Sequence, residues 1–260
     1  IVSESETVVV DNVLRKEHDM IAMSGAVIKH TKNEIKKNIK GQSKMVEEYK
    51  TGRESGADWD MRLGDCVEVT KSLKANSIHY SVFSPPFSSL YTYTNSERDM
   101  GNCKTNDEFY NHFKYLVKEL YRVIMPGRNL SFHCMNLPMS KQHHGVIGIH
   151  DFRGELIRMF VEEGWIYHSE VCIWKDPVTA MQRTKALGLL HKQVKKDSCR
   201  SRQGIPDYLV TMKKPGDNPE PVTHTNKDYP VSMWQKIASP IWMDINPSNT
   251  LQKASARENN

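Results

Sequence analysis

The tetrapeptide Ser84-Pro85-Pro86-Phe87 carries the residue types best suited to chemistry in this sequence, and it directly follows the apolar run 78–83. The two prolines fix φ and leave carbonyl oxygens without neighbouring N–H donors. Ser84 adds a hydroxyl oxygen, and Phe87 adds a flat apolar ring. Together these groups would form a rigid cup for a planar ring that bears an amino group. Taken alone, two prolines after a strand also make an ordinary turn, so the interpretation depends on the rest of the chain.

The elements that would position this tetrapeptide alternate between strand and helix from Trp59 onward. Strands are predicted over 61–63, 78–83, 130–135, 166–173 and 208–212, and helices over 67–73 and 152–163. A further helix opens at a capping box, Thr105-x-x-Glu108, and keeps apolar residues at helical spacing until Pro126-Gly127 ends it. This rhythm predicts an α/β fold, a parallel or mixed sheet with helices packed on both faces.

Three segments with polar or small residues fall at the ends of predicted strands. They are Gly64-Asp65, Ser84 to Phe87, and His133 to Pro138. Ligands of open α/β sheets bind at the carboxyl ends of strands, so we expect these segments to meet on one rim of the sheet.

Composition limits the class of protein. The 260 residues are 38% hydrophobic, which suffices for one large domain, and 36 basic against 31 acidic residues give a net charge of +5, which permits a polyanionic partner. No apolar run approaches the length of a membrane span. The five cysteines form no Cys-x-x-Cys pair, so neither a disulfide framework nor a zinc site is indicated, and a reducing cytoplasm is expected. No metal is expected at His133, His143, His144 or His150, which lack the short paired spacing of metal ligands.

The first part of the chain differs from the rest. Residues 1–40 are predicted to be helical, beginning at the capping box Ser3-x-x-Glu6, and residues 41–58 are predicted to be a linker rich in Gly, Ser, Lys and Glu. Residues 59–260 are then predicted to form the catalytic domain. Because the sequence starts at Ile1 with neither Met nor a signal pattern, we expect it to be cut from a longer protein.

The order of the motifs resembles that of the permuted amino-group DNA methyltransferases over roughly residues 59–250. Leu63-Gly64-Asp65-Cys66 comes first, Ser84-Pro85-Pro86-Phe87 second, and the helix ending at Pro126-Gly127 third, at similar spacing. The resemblance implies a partial Rossmann-like methyltransferase sheet, S-adenosylmethionine as cofactor and double-stranded DNA as substrate. It places Asp65 and Gly64 beside the adenosine of the cofactor, although Asp65 is equally suited to cap the helix that follows.

The resemblance also implies a chemistry for the tetrapeptide. An amine on a base is a poor nucleophile because its lone pair is conjugated with the ring. If Ser84 Oγ and the Pro85 carbonyl accept its hydrogens, the lone pair can face a methyl donor. The leading Ser favours N4 of cytosine, with N6 of adenine as the other possibility. The base must be flipped out of the duplex, and Phe87 would stack on it. Tyr91 and Tyr93 would close over the base or cover the edge of the sheet.

Two further features bear on the surrounding protein. The aromatic-x-Gly-x-Gly turn of the family is not found in the sequence, so we expect the chain to hold the catalytic half, to lack most of the cofactor half and to be inactive alone. Residues 1–40 resemble the tail that follows the last motif of Swi/Snf-type helicases. A helicase-like domain in the same polypeptide is therefore expected as a partner. The expected location is the cytoplasm of a bacterial cell, with the protein encoded by the bacterium or by a phage.

A basic segment between residues 175 and 202 is suited to phosphate contacts on DNA. Its cations are Lys175, Arg183, Lys185, Lys192, Lys195, Lys196, Arg200 and Arg202. A solvated surface loop would explain the same charges. Two other functions stay open, a DNA-binding module that keeps the fold without catalysis, and a methyltransferase acting on RNA or protein.

Overall fold

The computed structural model describes residues 51–91, 96, 98–184, 187–196 and 201–245. The chain divides between Glu48 and Tyr49, and every described residue belongs to the second part. The predicted helix over 1–40 lies outside the described residues, as do Tyr93, Lys185 and Arg200.

Nine strands form three sheets in the described part of the chain. The strands are β1 (Gly52–Ser55), β2 (Asp60–Leu63), β3 (Ile78–Phe83), β4 (Ile124–Met135), β5 (Leu137–Met139), β6 (Gly148–His150), β7 (Ile166–Ile173), β8 (Asp207–Lys213) and β9 (Ile241–Trp242). The main sheet has the order β3-β4-β8-β7-β9, while β1 pairs with β2 and β5 with β6. Within the main sheet β3 runs parallel to β4 and β9 to β7, whereas β8 is antiparallel to both of its neighbours.

Seven α-helices connect these strands where the structure describes the chain. They are α1 (Cys66–Lys71), α2 (Asn106–Val123), α3 (Lys141–His144), α4 (Phe152–Glu162), α5 (Pro177–Thr184), α6 (His191–Val194) and α7 (Val231–Ile237), with short 3-10 helices at Ser88–Leu90, Met100–Asn102 and Leu187–Leu189. A mixed sheet with packed helices confirms the predicted α/β fold. No helix in these described ranges is long and apolar enough to cross a membrane.

The core lies where α2 and α4 pack against β4. Phe132 of β4 stacks on Phe160 of α4 with ring centroids 5.0 Å apart, and Phe109 and Phe113 of α2 stack on each other at 5.6 Å. All four of these rings are fully buried. Because side chains alternate along a strand, the neighbour His133 faces away from this aromatic core. The face of β4 that points away from these helices carries Asn129, Ser131, His133 and Met135.

The end of α2 differs from the prediction. The helix ends at Val123, and β4 begins at Ile124, before the Pro126-Gly127 pair that was expected to stop it. A proline disfavours helical geometry at the residue before it, so Met125 is extended and the helix must end earlier. The register of β3 against β4 shifts here, with Ile78 opposite Ile124 but Tyr80 opposite Asn129.

A buried lysine holds this junction together. Lys214, only 8% exposed, donates from Nζ to Asn76 Oδ1 at 2.8 Å, Tyr121 O at 2.7 Å and Ile124 O at 2.8 Å. The Tyr121 and Ile124 carbonyls lie at the end of α2, where helical partners run out. Burial lowers the pKa of Lys214 from its ordinary value. The ammonium group thus caps the helix and ties it to the turn before β3.

Part of the range predicted as a linker forms a strand. Gly52–Ser55, within the 41–58 range, forms β1 and pairs antiparallel with β2. Arg53 binds Asp60 with Nε and Oδ1 2.7 Å apart, which adds a side-chain link across the hairpin. The strand β2, which leads into Gly64-Asp65, pairs with β1 and not with the five-stranded sheet.

Candidate active site

The tetrapeptide lies at the carboxyl end of β3, as predicted. Ser84 is exposed, Pro85 is buried and Phe87 is half-buried, with its ring 6.3 Å from that of Phe152 in an edge-on contact. The next residue, Ser88, has a φ of 52°, which a non-glycine residue rarely adopts. Its hydroxyl donates to Asn106 Oδ1 at 2.6 Å and is buried. This contact with the start of α2 holds the strained turn below Phe87.

Ser84 begins a chain of polar contacts that extends over four neighbouring strands, β3, β4, β8 and β7. Its Oγ lies 3.1 Å from His133 Nδ1 and, at a longer 3.4 Å, from the His133 carbonyl. His133 Nε2 lies 3.2 Å from Asp207 Oδ2, and Asp207 Oδ1 lies 2.5 Å from Lys175 Nζ. We call these four residues the Ser84 relay.

The pairing of the strands explains why these residues meet. On β4 and β8, His133 is opposite Leu209 and Met135 is opposite Asp207, and residues directly opposite one another share a face of the sheet. Lys175 follows the end of β7, whose last residue, Ile173, is also opposite Asp207. The relay therefore lies on one rim, on the face of β4 turned away from the aromatic core.

The charge of Asp207 determines the direction of the hydrogen bonds in the relay. Burial acts to raise the pKa of Asp207, but hydrogen bonds from His133 and Lys175 outweigh it and hold the pKa below the ordinary value of an aspartate. The ionised carboxylate can only accept, so the proton of a neutral imidazole belongs on Nε2. His133 Nδ1 then accepts from the Ser84 hydroxyl. The consequence is that the lone pairs of Ser84 Oγ, and not its hydrogen, face outward.

Lys175, which was predicted to contact DNA phosphate, lies beside Asp207. Its ammonium pairs with Asp207 and lies 3.8 Å from Met135 Sδ. Its side chain is only 24% exposed, so its charge is directed into the site.

Asp65 takes the capping role at the start of α1. Its Oδ1 accepts from the backbone N–H groups of Val67 at 2.9 Å and Glu68 at 3.2 Å, while Oδ2 lies 3.4 Å from Arg98 Nη1. The side chain is 13% exposed, and Oδ2 retains capacity to accept a hydroxyl. Gly64 has little room for a side chain, since a Cβ there would lie 3.2 Å from Val69.

A second arginine fixes the other end of α1. Arg122 of α2 donates to the carbonyls of Leu73 at 2.9 Å, Thr70 at 3.0 Å and Lys71 at 3.2 Å. The helix that begins at Asp65 is thus anchored to α2, which also borders the turn after Phe87.

The structure also describes several other residues that were predicted to contact DNA. Tyr91 is exposed beyond the 3-10 turn that follows the tetrapeptide. Lys192 lies in α6, and Lys195 and Lys196 follow it, all three exposed. Arg202 donates from Nη1 to the Gln203 carbonyl, and burial lowers its pKa. The backbone of Arg183 is in α5.

Sequence reasoning placed His133 on the correct rim but missed Asp207. No motif marks Asp207, which opens an antiparallel strand far along the chain from Ser84. A cluster of three or more histidine, cysteine or acidic side chains fit for a metal is not found among the described residues.

Comparison with known proteins gives a likeness of fold. No family model matches the sequence, and no curated protein matches it either. Among solved structures, TTHA0409 of Thermus thermophilus, a candidate DNA modification methylase in complex with S-adenosyl-L-methionine, superposes with a TM-score of 0.54 at 17% identity. The match covers 75% of this chain and 70% of that one. The chain has a methyltransferase fold.

Two other solved structures give similar values. Another crystal structure of TTHA0409 matches with a TM-score of 0.51 at 17% identity, over 75% of this chain and 71% of that one. PvuII DNA methyltransferase, which is cytosine-N4-specific, matches at 17% identity and a TM-score of 0.48, over 75% of this chain and 60% of that one. In this methyltransferase fold, the Ser84 relay lies at the carboxyl ends of β3 and β4, where α/β sheets bind ligands.

Proposed function

We propose that this chain is the catalytic part of an S-adenosylmethionine-dependent methyltransferase that modifies an exocyclic amino group of a base in double-stranded DNA. N4 of cytosine is the favoured target, and N6 of adenine is the other. The observation that carries the proposal is the orientation of Ser84. Ser84 Oγ lies 3.1 Å from His133 Nδ1. With the imidazole proton on Nε2, opposite Asp207, the hydroxyl hydrogen of Ser84 points to Nδ1 and its oxygen presents lone pairs to an incoming donor.

An acceptor in this place selects an amine. Amino hydrogens can donate to Ser84 Oγ and to the carbonyls of the two prolines. A carbonyl oxygen on a base would instead be repelled, because its lone pairs would point at the lone pairs of these acceptors. Hydrogen bonds of this kind draw the nitrogen lone pair out of conjugation and stabilise the charge that develops on the amine. S-adenosylmethionine, when bound, supplies a methyl group on a positively charged sulfonium. Phe87 offers an apolar ring to the flipped base, and exposed Tyr91 can cover it.

The described residues fit part of the cofactor. Asp65 Oδ2 can accept a hydroxyl of the adenosine while Oδ1 continues to cap α1, and Gly64 lets the backbone approach closely. We infer that the exposed Lys192, Lys195 and Lys196 contact DNA phosphates, with Arg183, Lys185, Arg200 and Arg202 contributing from the same segment.

The context of the protein is a proposal that rests on sequence resemblance. We infer that residues 59–260 are the catalytic domain, that a helicase-like domain shares the polypeptide, and that the protein serves DNA methylation of the restriction-modification type in a bacterial cytoplasm.

The test is methyl transfer by Ser84→Ala. The full-length protein that contains this chain, which we call the parent, is incubated with S-adenosylmethionine carrying a labelled methyl group and with DNA, RNA or protein. The products are identified by mass spectrometry of nucleosides and peptides. We expect N4-methylcytosine or N6-methyladenine in DNA, at a rate that falls by about 100-fold or more in the variant. Ser77→Ala is the matched control, since it removes a serine hydroxyl at the opposite end of β3, where Ser77 Oγ donates to Lys74 O at 2.6 Å.

Each other outcome points to another function. Label in RNA or protein and not in DNA would favour the alternative methyltransferase. DNA binding without transfer would favour a non-catalytic module. Equal rates for Ser84→Ala and Ser77→Ala would remove Ser84 from the mechanism.

A further inference from the structure

We propose that His133 takes up, through Ser84, the proton that the amine loses on methylation, and that Asp207 sets the ring of His133 for this task. The inference rests on the proposed function and adds two positioning residues to it. It is carried by the continuous contacts from Ser84 Oγ to His133 Nδ1 at 3.1 Å and from His133 Nε2 to Asp207 Oδ2 at 3.2 Å.

The reaction leaves a proton to be removed. The amine nitrogen forms a bond to the methyl carbon as the carbon–sulfur bond of the donor breaks, and the electron pair of that bond stays on sulfur. The nitrogen then carries a positive charge and one hydrogen more than the neutral product. That proton passes to Ser84 Oγ while the hydroxyl proton of Ser84 moves to His133 Nδ1. The result is a neutral methylated amine, an intact serine and an imidazolium.

Asp207 supports both ends of this transfer. Before it, the carboxylate holds the imidazole proton on Nε2 and leaves Nδ1 free to accept. After it, the same carboxylate faces the imidazolium and stabilises the new charge, as the buried aspartate does in serine hydrolases. The side chain of His133 is 34% exposed, so the proton can then pass to water and reset the site.

The charges around the relay favour this protonation state. Lys175, from the segment after β7, pairs with Asp207 Oδ1 at 2.5 Å and favours the carboxylate. Arg153 of α4 and Glu170 of β7 pair with each other at 2.7 Å on the other face of the sheet, where Glu170 is opposite Val210 of the core. Arg153 also covers the ring of Tyr208. The neighbouring Cys134 is buried with its pKa raised to about 12, so it is neutral where an enzyme works.

Another histidine–carboxylate pair shows what distinguishes the relay. His79 Nε2, at the start of β3, lies 3.4 Å from Glu220 Oε2, but the two side chains are 49% and 64% exposed. In the relay, Asp207 is 13% exposed and is also held by the ammonium group of Lys175. A pair on the surface competes with water, whereas the buried carboxylate imposes one orientation on the ring.

The first experiment measures the tautomer of His133 and needs no activity. Nitrogen-15 NMR of the imidazole rings, assigned with His133→Gln, reports which nitrogen bears the proton. We expect the Nε2–H form in the parent. In Asp207→Asn the side-chain amide can donate to Nε2, so we expect a shift toward the Nδ1–H form. If Asp207→Asn does not fold because Lys175 loses its partner, the double variant Asp207→Asn, Lys175→Met removes both charges and answers the same question.

The second experiment measures the pH dependence of kcat. In the parent, kcat should fall on the acid side, because a proton on His133 Nδ1 removes the acceptor that the transfer needs. His133→Gln should abolish this acid limb and lower kcat by about 100-fold, the scale of general base catalysis, while KM for DNA stays within about twofold. Asp207→Asn should lower kcat on the same scale. His79→Gln is the control and should keep both the limb and the rate.

The outcomes separate the relay from the proposed function. An Nδ1–H tautomer in the parent, or an unchanged acid limb in His133→Gln, overturns the relay even where Ser84→Ala has shown that the site transfers methyl groups. A lack of methyl transfer in the parent overturns the proposed function, and the tautomer then still decides whether Asp207 positions His133.

Discussion

Removing the ammonium group of Lys214 should destabilise the fold more than any surface substitution. Nζ is the donor to the carbonyls of Tyr121 and Ile124 and to Asn76 Oδ1, at 2.7 to 2.8 Å, in a site only 8% exposed. Lys214→Met fills much of the same volume without a donor. Leaving a buried acceptor unpaired costs about 1–3 kcal/mol, so we expect the free energy of unfolding to fall by about 3 kcal/mol.

The loss should be measurable by urea denaturation followed by circular dichroism. A domain of this size is stabilised by about 5–15 kcal/mol, so the midpoint should move clearly to lower urea. Lys213→Met is the control, because it makes the same change one residue earlier, at a half-buried position where we expect about 0.5 kcal/mol or less. If Lys214→Met lowers the free energy of unfolding by less than about 1 kcal/mol, the ammonium group does not cap α2. Leaving the carbonyls of Tyr121 and Ile124 without a donor would cost more than that.

Two further results are expected. Changing Lys192, Lys195 and Lys196 together to Gln should weaken DNA binding and flatten the dependence of its logarithm on salt, because fewer counterions are released; a salt slope equal to that of the parent would identify the segment as a solvated surface. The depressed pKa of Asp207 should make its contribution to stability present above its unfolded pKa of about 3.9 and lost as pH falls through the lower folded value. The difference in unfolding free energy between the parent and Asp207→Asn should therefore shrink in acid, and a constant difference down to a pH of about 2 would contradict the ion pairs.

Much of the fold could be predicted because its elements have strong patterns. The apolar run 78–83 and the capped helix from Thr105 are found where periodicity places them, and Thr105 Oγ1 accepts from Glu108 N as a cap should. Strand β1 could not be predicted, since all four of its side chains are exposed and show no alternation. The end of α2 is set by Pro126, which disfavours helical geometry at the residue before it. The helix propensities of the residues in α2 do not show this effect.

The site was predictable in part for the same reason. Ser84 follows β3 and His133 lies near the end of β4, and these two strands run parallel. The carboxyl ends of parallel strands meet at one edge of the sheet, so the two residues could be expected to lie together. Asp207 enters through an antiparallel partner, so no rule of strand ends points to it. Lys175 looked like one of many surface cations because charge counts do not show which carboxylate a lysine will meet. Tertiary pairing, not local sequence, determines the second half of the relay.

The alternation of side chains along β4 serves both the core and the site, and it therefore limits which insertions and deletions the protein can accept. Phe132 faces the aromatic core and His133, its neighbour, faces the relay. A slip of one residue in this strand would turn the phenylalanine to the rim and bury the imidazole among phenyl rings. The strand cannot lose one property and keep the other. Deletion of a single residue between Asn129 and His133 would impair stability and catalysis together. We therefore expect related proteins that retain the chemistry to keep the same length in this segment.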